Sequence, residues 1–104
     1  MSFNGNEGVV ISLKDASDLT ANYRATIATG DTIAQFVGKQ KLLDILNQSD
    51  CVGVRIYYGL DNQGEKCLVL VGADTNEDDL DKGVIVDILF KCPSHCSTAN
   101  SLNS

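Results

Sequence analysis

The sequence predicts one α+β domain: two N-terminal helices packed on a small antiparallel sheet made of a hairpin plus a third strand. Three patterns carry that expectation. Val52, Val54, Ile56 and Tyr58 alternate with Gly53, Arg55 and Tyr57, the period-two signature of a strand. Cys67 to Val71 is a second apolar run, and Asp61-Asn62-Gln63-Gly64 between the two is turn chemistry. Asx residues tolerate left-handed angles there, and Gly64 adopts them freely. Ahead of the hairpin, Ala16, Leu19, Thr20 and Tyr23, then Leu42, Leu43, Ile45 and Leu46, recur at helical spacing.

Taken in order, residues 1–8 are polar and glycine-rich and read as a disordered tail; residues 9–96 form the domain; residues 97–104 are a polar tail. Ser12 is placed to cap a helix over 12–26, with Asp15 adding negative charge to its first turn. Ala28-Thr29-Gly30-Asp31 breaks that pattern, and Ile33 to Val37 is too short a run to assign. Gly38 suits the start of a second helix over 39–48, since inside a helix it would cost ~1 kcal/mol relative to alanine. Asn47-Gln48-Ser49-Asp50 ends it. With Asn62 and Gln63 at the hairpin tip, Asp61 would pair with Gly64 and Cys67 would lie opposite Tyr58. Asp74 to Lys82 is an acidic loop, and Val84 to Phe90 reads as the third strand, with Asp87 its only charge.

A chain of 104 residues is the size of one domain and can hold a real core without metal or disulfide help. An apolar fraction of 43% and a charged fraction of 21% are ordinary globular usage. The net charge of −6, with scattered Lys and Arg, argues against nucleic-acid and anionic-membrane partners. The start MSFNGNEGVV lacks a basic segment and a long apolar core, so a cytoplasmic location is expected. Cys51, Cys67, Cys92 and Cys96 are then expected as thiols or metal ligands.

The motifs are weak individually. Asp74, Asn76 and Asp78 have the spacing that opens a calcium loop, but Asp79 stands where glycine is needed and Ile85 where a bidentate glutamate belongs. Cys92-Pro93-Ser94-His95-Cys96 gathers three soft ligands, and zinc on Cys92, His95 and Cys96 is the one cofactor they suggest. A local disulfide or reactive thiol pair is the second alternative; a packed or exposed chain end is the plain one. Cys51 and Cys67 lie roughly 23 Å apart on an extended hairpin, which sets aside a single four-cysteine site. His95 is the only histidine, and no oxyanion hole, nucleophile elbow or phosphate loop accompanies it. No catalytic residue is assigned. Arg55 and Tyr57 share a strand face and could bind an anion, although Arg55 more simply pairs with a carboxylate such as Asp87.

Gly38-Lys39 opening a helix, Cys51-Val-Gly-Val-Arg-Ile-Tyr-Tyr-Gly-Leu-Asp, Leu68-Val-Leu-Val-Gly-Ala-Asp, the acidic loop and the closing Cys-Pro-x-x-Cys-like end resemble a group of small uncharacterised bacterial proteins. The resemblance runs from about Gly38 to Cys96. It implies a bacterial, cytoplasmic, free-standing domain and carries over no activity.

The function expected from these features is non-enzymatic: a structural or interaction protein that self-associates through the sheet. Sheet edges invite pairing. With the helices on one side, Tyr57, Leu68, Leu70, Ile85 and Leu89 are expected on the second face, forming a homo-oligomer or partner interface. The alternative is a small zinc-binding or thiol-redox module at Cys92, His95 and Cys96.

Overall fold

The computed structural model describes residues 2–104. Helix α1 (Leu13–Arg24) begins where Ser12 takes extended angles and its hydroxyl accepts the Asp15 N–H at 3.0 Å. The predicted cap is therefore in place. The predicted packing is not, because α1 buries no residue. Of its expected inward face, only Leu19 and Tyr23 carry large apolar surface, and both are exposed. Thr20 spends its hydroxyl on the Ala16 and Ser17 carbonyls. The helix is tethered at its far end instead. The Tyr23 hydroxyl donates to the Thr32 carbonyl, and the Arg24 guanidinium donates to the carbonyls of Leu102 and Ser104.

Helix α2 (Lys39–Leu46) does pack on the sheet. Gly38 sits at its N-cap in an extended conformation. Ile45 is fully buried and, with Leu70 and Ile88, forms the core cluster, flanked by Val37, Leu42, Val54, Leu68 and Val86.

The undecided run 33–37 contains strand β1 (Ala34–Phe36). The larger sheet orders β2 (Gly53–Leu60), β3 (Lys66–Ala73) and β4 (Ile85–Asp87), all antiparallel. The expected third strand over 84–90 is interrupted. β4 pairs with β3, then the chain turns through Ile88 and Leu89, and β5 (Phe90–Cys92) pairs with β1 in a separate two-stranded sheet. Ile88 marks the crossing: its N–H still donates to the Leu68 carbonyl at 3.1 Å, and its side chain is in the core.

The hairpin register differs from expectation by one residue. The Asp61 N–H donates to the Glu65 carbonyl at 2.9 Å, so the loop is Asn62, Gln63 and Gly64. Asp61 Oδ1 also accepts the Gln63 and Glu65 N–H groups, and Gly64 has φ +78°. This is a longer hairpin loop with glycine at its left-handed position. Cys67 consequently pairs with Gly59, and Tyr58 with Leu68. A one-residue slip moves every side chain to the other face. Leu68 and Leu70 therefore point toward α2 beside Tyr58 and Ile56, and Leu70 is only 3% exposed. The outer face instead carries Arg55, Tyr57, Val69, Val71 and Ile85.

Replacing Ile45 with alanine removes the largest fully buried side chain from a small core. Urea denaturation is expected to show a loss of about 2–5 kcal/mol, whereas Leu46→Ala on the exposed side of the same helix should cost much less.

Candidate functional site

Arg55 and Tyr57 alternate on β2 and so share its outer face, as the period-two pattern requires. Both reach Asp79. Arg55 Nη1 donates to Asp79 Oδ1 and the Tyr57 hydroxyl donates to Asp79 Oδ2, each at 2.5 Å. Arg55 also donates to the Glu77 carbonyl at 3.1 Å, and its guanidinium lies 5.5 Å from the centre of the Phe3 ring.

The carboxylate partner is thus Asp79 and not Asp87. Asp87 lies on β4, opposite Val69, with the whole of β3 between it and β2. Asp79 is held next to the end of β3 by an antiparallel bridge to Ala73. The loop that delivers it is ordered by Asp74, whose Oδ1 accepts the N–H groups of Asn76 and Asp78.

Electrostatics follow the geometry. The Tyr57 hydroxyl, and after it the Arg55 guanidinium, hold the Asp79 carboxyl below its ordinary range. The same bond to Asp79 pushes the Tyr57 phenol above its ordinary value, and Arg55 is raised by Asp79. Both carboxylate oxygens are occupied and the guanidinium is neutralised, so the cluster acts as a clasp between loop and sheet.

The C-terminal trio comes together only in part. Cys92 is buried at the end of β5, and its sulfur is bonded to that of Cys96, their Cα atoms 4.7 Å apart. The His95 ring stands edge-on to Phe90, centroids 5.0 Å apart, and the His95 N–H donates to the Lys91 carbonyl. Among the described residues no group of three or more His, Cys, Asp or Glu side chains is gathered as a metal site. Cys51 and Cys67 are free thiols.

The residues expected at an interface divide between places. Tyr57 and Ile85 are exposed on the outer face, Leu89 is exposed in the turn between β4 and β5, and Leu68 and Leu70 face α2. The longest unpaired strand edge among the described residues is the outer edge of β2. Asp61 forms a hydrogen-bonded pair with Glu65, and antiparallel bonding alternates. The backbone groups of Gly53, Arg55, Tyr57 and Gly59 therefore turn toward β3, while those of Val54, Ile56, Tyr58 and Leu60 turn outward.

No protein-family model matches the chain, nor does any curated protein or solved structure.

The Asp79 clasp makes a pH-dependent contribution with a definite sign. A depressed carboxylate pKa stabilises the fold above the ordinary carboxylate range and loses that contribution as pH falls through the lowered value. Asp79→Asn should flatten the acid side of a plot of urea midpoint against pH. A residual slope should remain from Asp61, which is lowered by the Glu65 and Gln63 N–H groups and by Lys91. An unchanged acid limb in Asp79→Asn would show that the clasp does not contribute.

Proposed function

We propose that this chain is a self-associating interaction module without chemistry of its own, and that β2 is the strand through which copies join. One observation carries the proposal. β2 is eight residues long, and its outer edge has no hydrogen-bond partner among the described residues. Ile56, Tyr58 and Leu60 along it are 53%, 92% and 71% exposed.

Natural edges are usually guarded by lysine, proline, a bulge or brevity. β2 contains no lysine and no proline, and pairs with β3 without a break in register. The strand is also complementary to itself. Two copies related by a two-fold axis at Tyr57 would set Ile56 against Tyr58 and Val54 against Leu60. The outward-facing backbone groups would then bond to one another. Arg55 would lie opposite Gly59, so no like charges meet. In this arrangement Tyr57 sits at the centre and Ile85 adds apolar surface on the same outer face, while Leu68 and Leu70 belong to the core.

A net charge of −6 favours a protein surface over nucleic acid as partner. Among the described residues no helix is long and apolar enough to cross a membrane.

A second reading, a thiol-redox or zinc module, has one observation in its favour: Cys92 and Cys96 are brought into bonding contact with His95 between them in the chain. Metal analysis of the protein purified under reducing conditions separates this from the first reading, because self-association requires no metal.

Sedimentation velocity is expected to show a dimer, or a larger species at higher concentration. Ile56→Glu and Tyr58→Glu should each return it to monomer, because pairing would bury an unpartnered carboxylate. Wild-type protein that stays monomeric at millimolar concentration would refute pairing through β2.

A further inference from the structure

The hairpin tip, the approach to β1 and the end of α1 do not close on one another. Between them lies a cleft of about 790 Å³, within the roughly 300–1,000 Å³ usual for small-molecule sites. Its walls are predominantly apolar: Ile33 and Ala34 on one side, Tyr58, Leu60 and Leu68 on the other. Two further lining residues supply polar chemistry. Lys66 Nζ lies 4.8 Å from the centre of the Tyr23 ring and donates to the Tyr23 hydroxyl at 2.5 Å. It forms no ion pair with any carboxylate among the described residues. Gln35, in the middle of β1, also lines the cleft, and its side-chain oxygen is buried with no hydrogen-bond partner.

The Lys66 ammonium is exposed, is held against the Tyr23 ring and hydroxyl, and has no carboxylate partner among the described residues, so it offers an anion a charge at the rim of the apolar wall. A buried amide oxygen without a donor loses the hydrogen bond that water would have given it. The aromatic walls, Tyr23 and Tyr58, favour a flat π-system between or against them.

The geometry points to a binding site for a small aromatic carboxylic acid that also carries a ring N–H or O–H donor. Its carboxylate bonds to Lys66, its ring packs against Tyr58 and Leu60, and its donor meets the Gln35 side-chain oxygen once that amide turns toward the cleft. The site is formed within one copy of the chain and does not require β2 to pair.

Indole acetate is a direct probe, with a carboxylate, an apolar ring and one ring N–H. The chain contains no tryptophan, so the fluorescence of the bound indole is read without background. Saturable binding is expected. Lys66→Gln should weaken it about tenfold, the size of one lost charge-assisted hydrogen bond, and Lys66→Arg should restore most of it. Ethylindole, lacking the carboxylate, should bind weakly and equally to wild type and Lys66→Gln. Naphthylacetate, lacking the N–H, should bind more weakly than indole acetate to wild type but with equal affinity to Gln35→Leu. Amide chemical shifts on titration should move at Thr32 to Gln35 and Tyr58 to Leu60. The Ile56→Glu protein should still bind saturably and still lose affinity on Lys66→Gln, so a failure of self-association leaves this site intact. Shifts confined to other residues, no saturation at millimolar probe, or equal affinity of wild type and Lys66→Gln in a folded variant would overturn the site.

Discussion

Among the described residues, strand β3 is the only strand bonded on both sides, and the loop that leads into it decides what each face of the larger sheet presents. Asp61 performs that task twice. Its carboxylate gathers the Gln63 and Glu65 N–H groups, and its own N–H closes the pair with Glu65. Gly64 supplies the left-handed angle the loop needs. Once the loop is fixed at this length, Leu68 and Leu70 must face α2, and Arg55 and Tyr57 must face the acidic loop. The core, the Asp79 clasp and the composition of the free edge all follow from that parity.

The same parity explains how much was legible in advance. The strand pattern at 52–58, the Ser12 cap and the Gly38 helix start rest on local chemistry, and each is found where the residues put it. The register rests on a choice between two hairpin loops that the residues Asp61 to Gly64 permit almost equally, and the wrong choice moves every β3 side chain to the opposite face while leaving those of β2 where they were expected. The division of 84–92 into two strands was hidden for a different reason. β-branched residues mark Val84 to Val86 as strand, but only the partner tells β4 from β5, and β1 is too short to announce itself. Asp79 could not be singled out either. It is one of several acidic residues in its loop, and it meets Arg55 only because the bridge to Ala73 brings it back to the sheet.

The thin core has consequences for the surface. One helix covers the inner face, and the other lies beside the sheet with no buried residue. Apolar side chains that a second packed helix would have covered remain in the open. Tyr58 and Leu60 extend past the reach of α2, whose one buried residue is Ile45. Exposed apolar side chains that lie side by side on a sheet edge mark a candidate binding surface. The sheet edge and the cleft are two places where that surface lies.

These two places are not independent energetically, because Tyr58 and Leu60 belong to both. Pairing of β2 about Tyr57 would set those side chains against Ile56 and Val54 of the second copy, fixing their rotamers. A ligand in the cleft would fix the same rotamers from the other side. If both events select one arrangement, the first reduces the ordering cost of the second, and each tightens the other by the same factor. If they select different arrangements, each weakens the other equally. Ordering one side chain costs on the order of 1 kcal/mol, so coupling through two residues corresponds to at most a few tens of fold in affinity. Lys66 and Gln35 lie outside the strand edge and set the chemistry of the ligand, whereas the two apolar residues set its linkage to assembly.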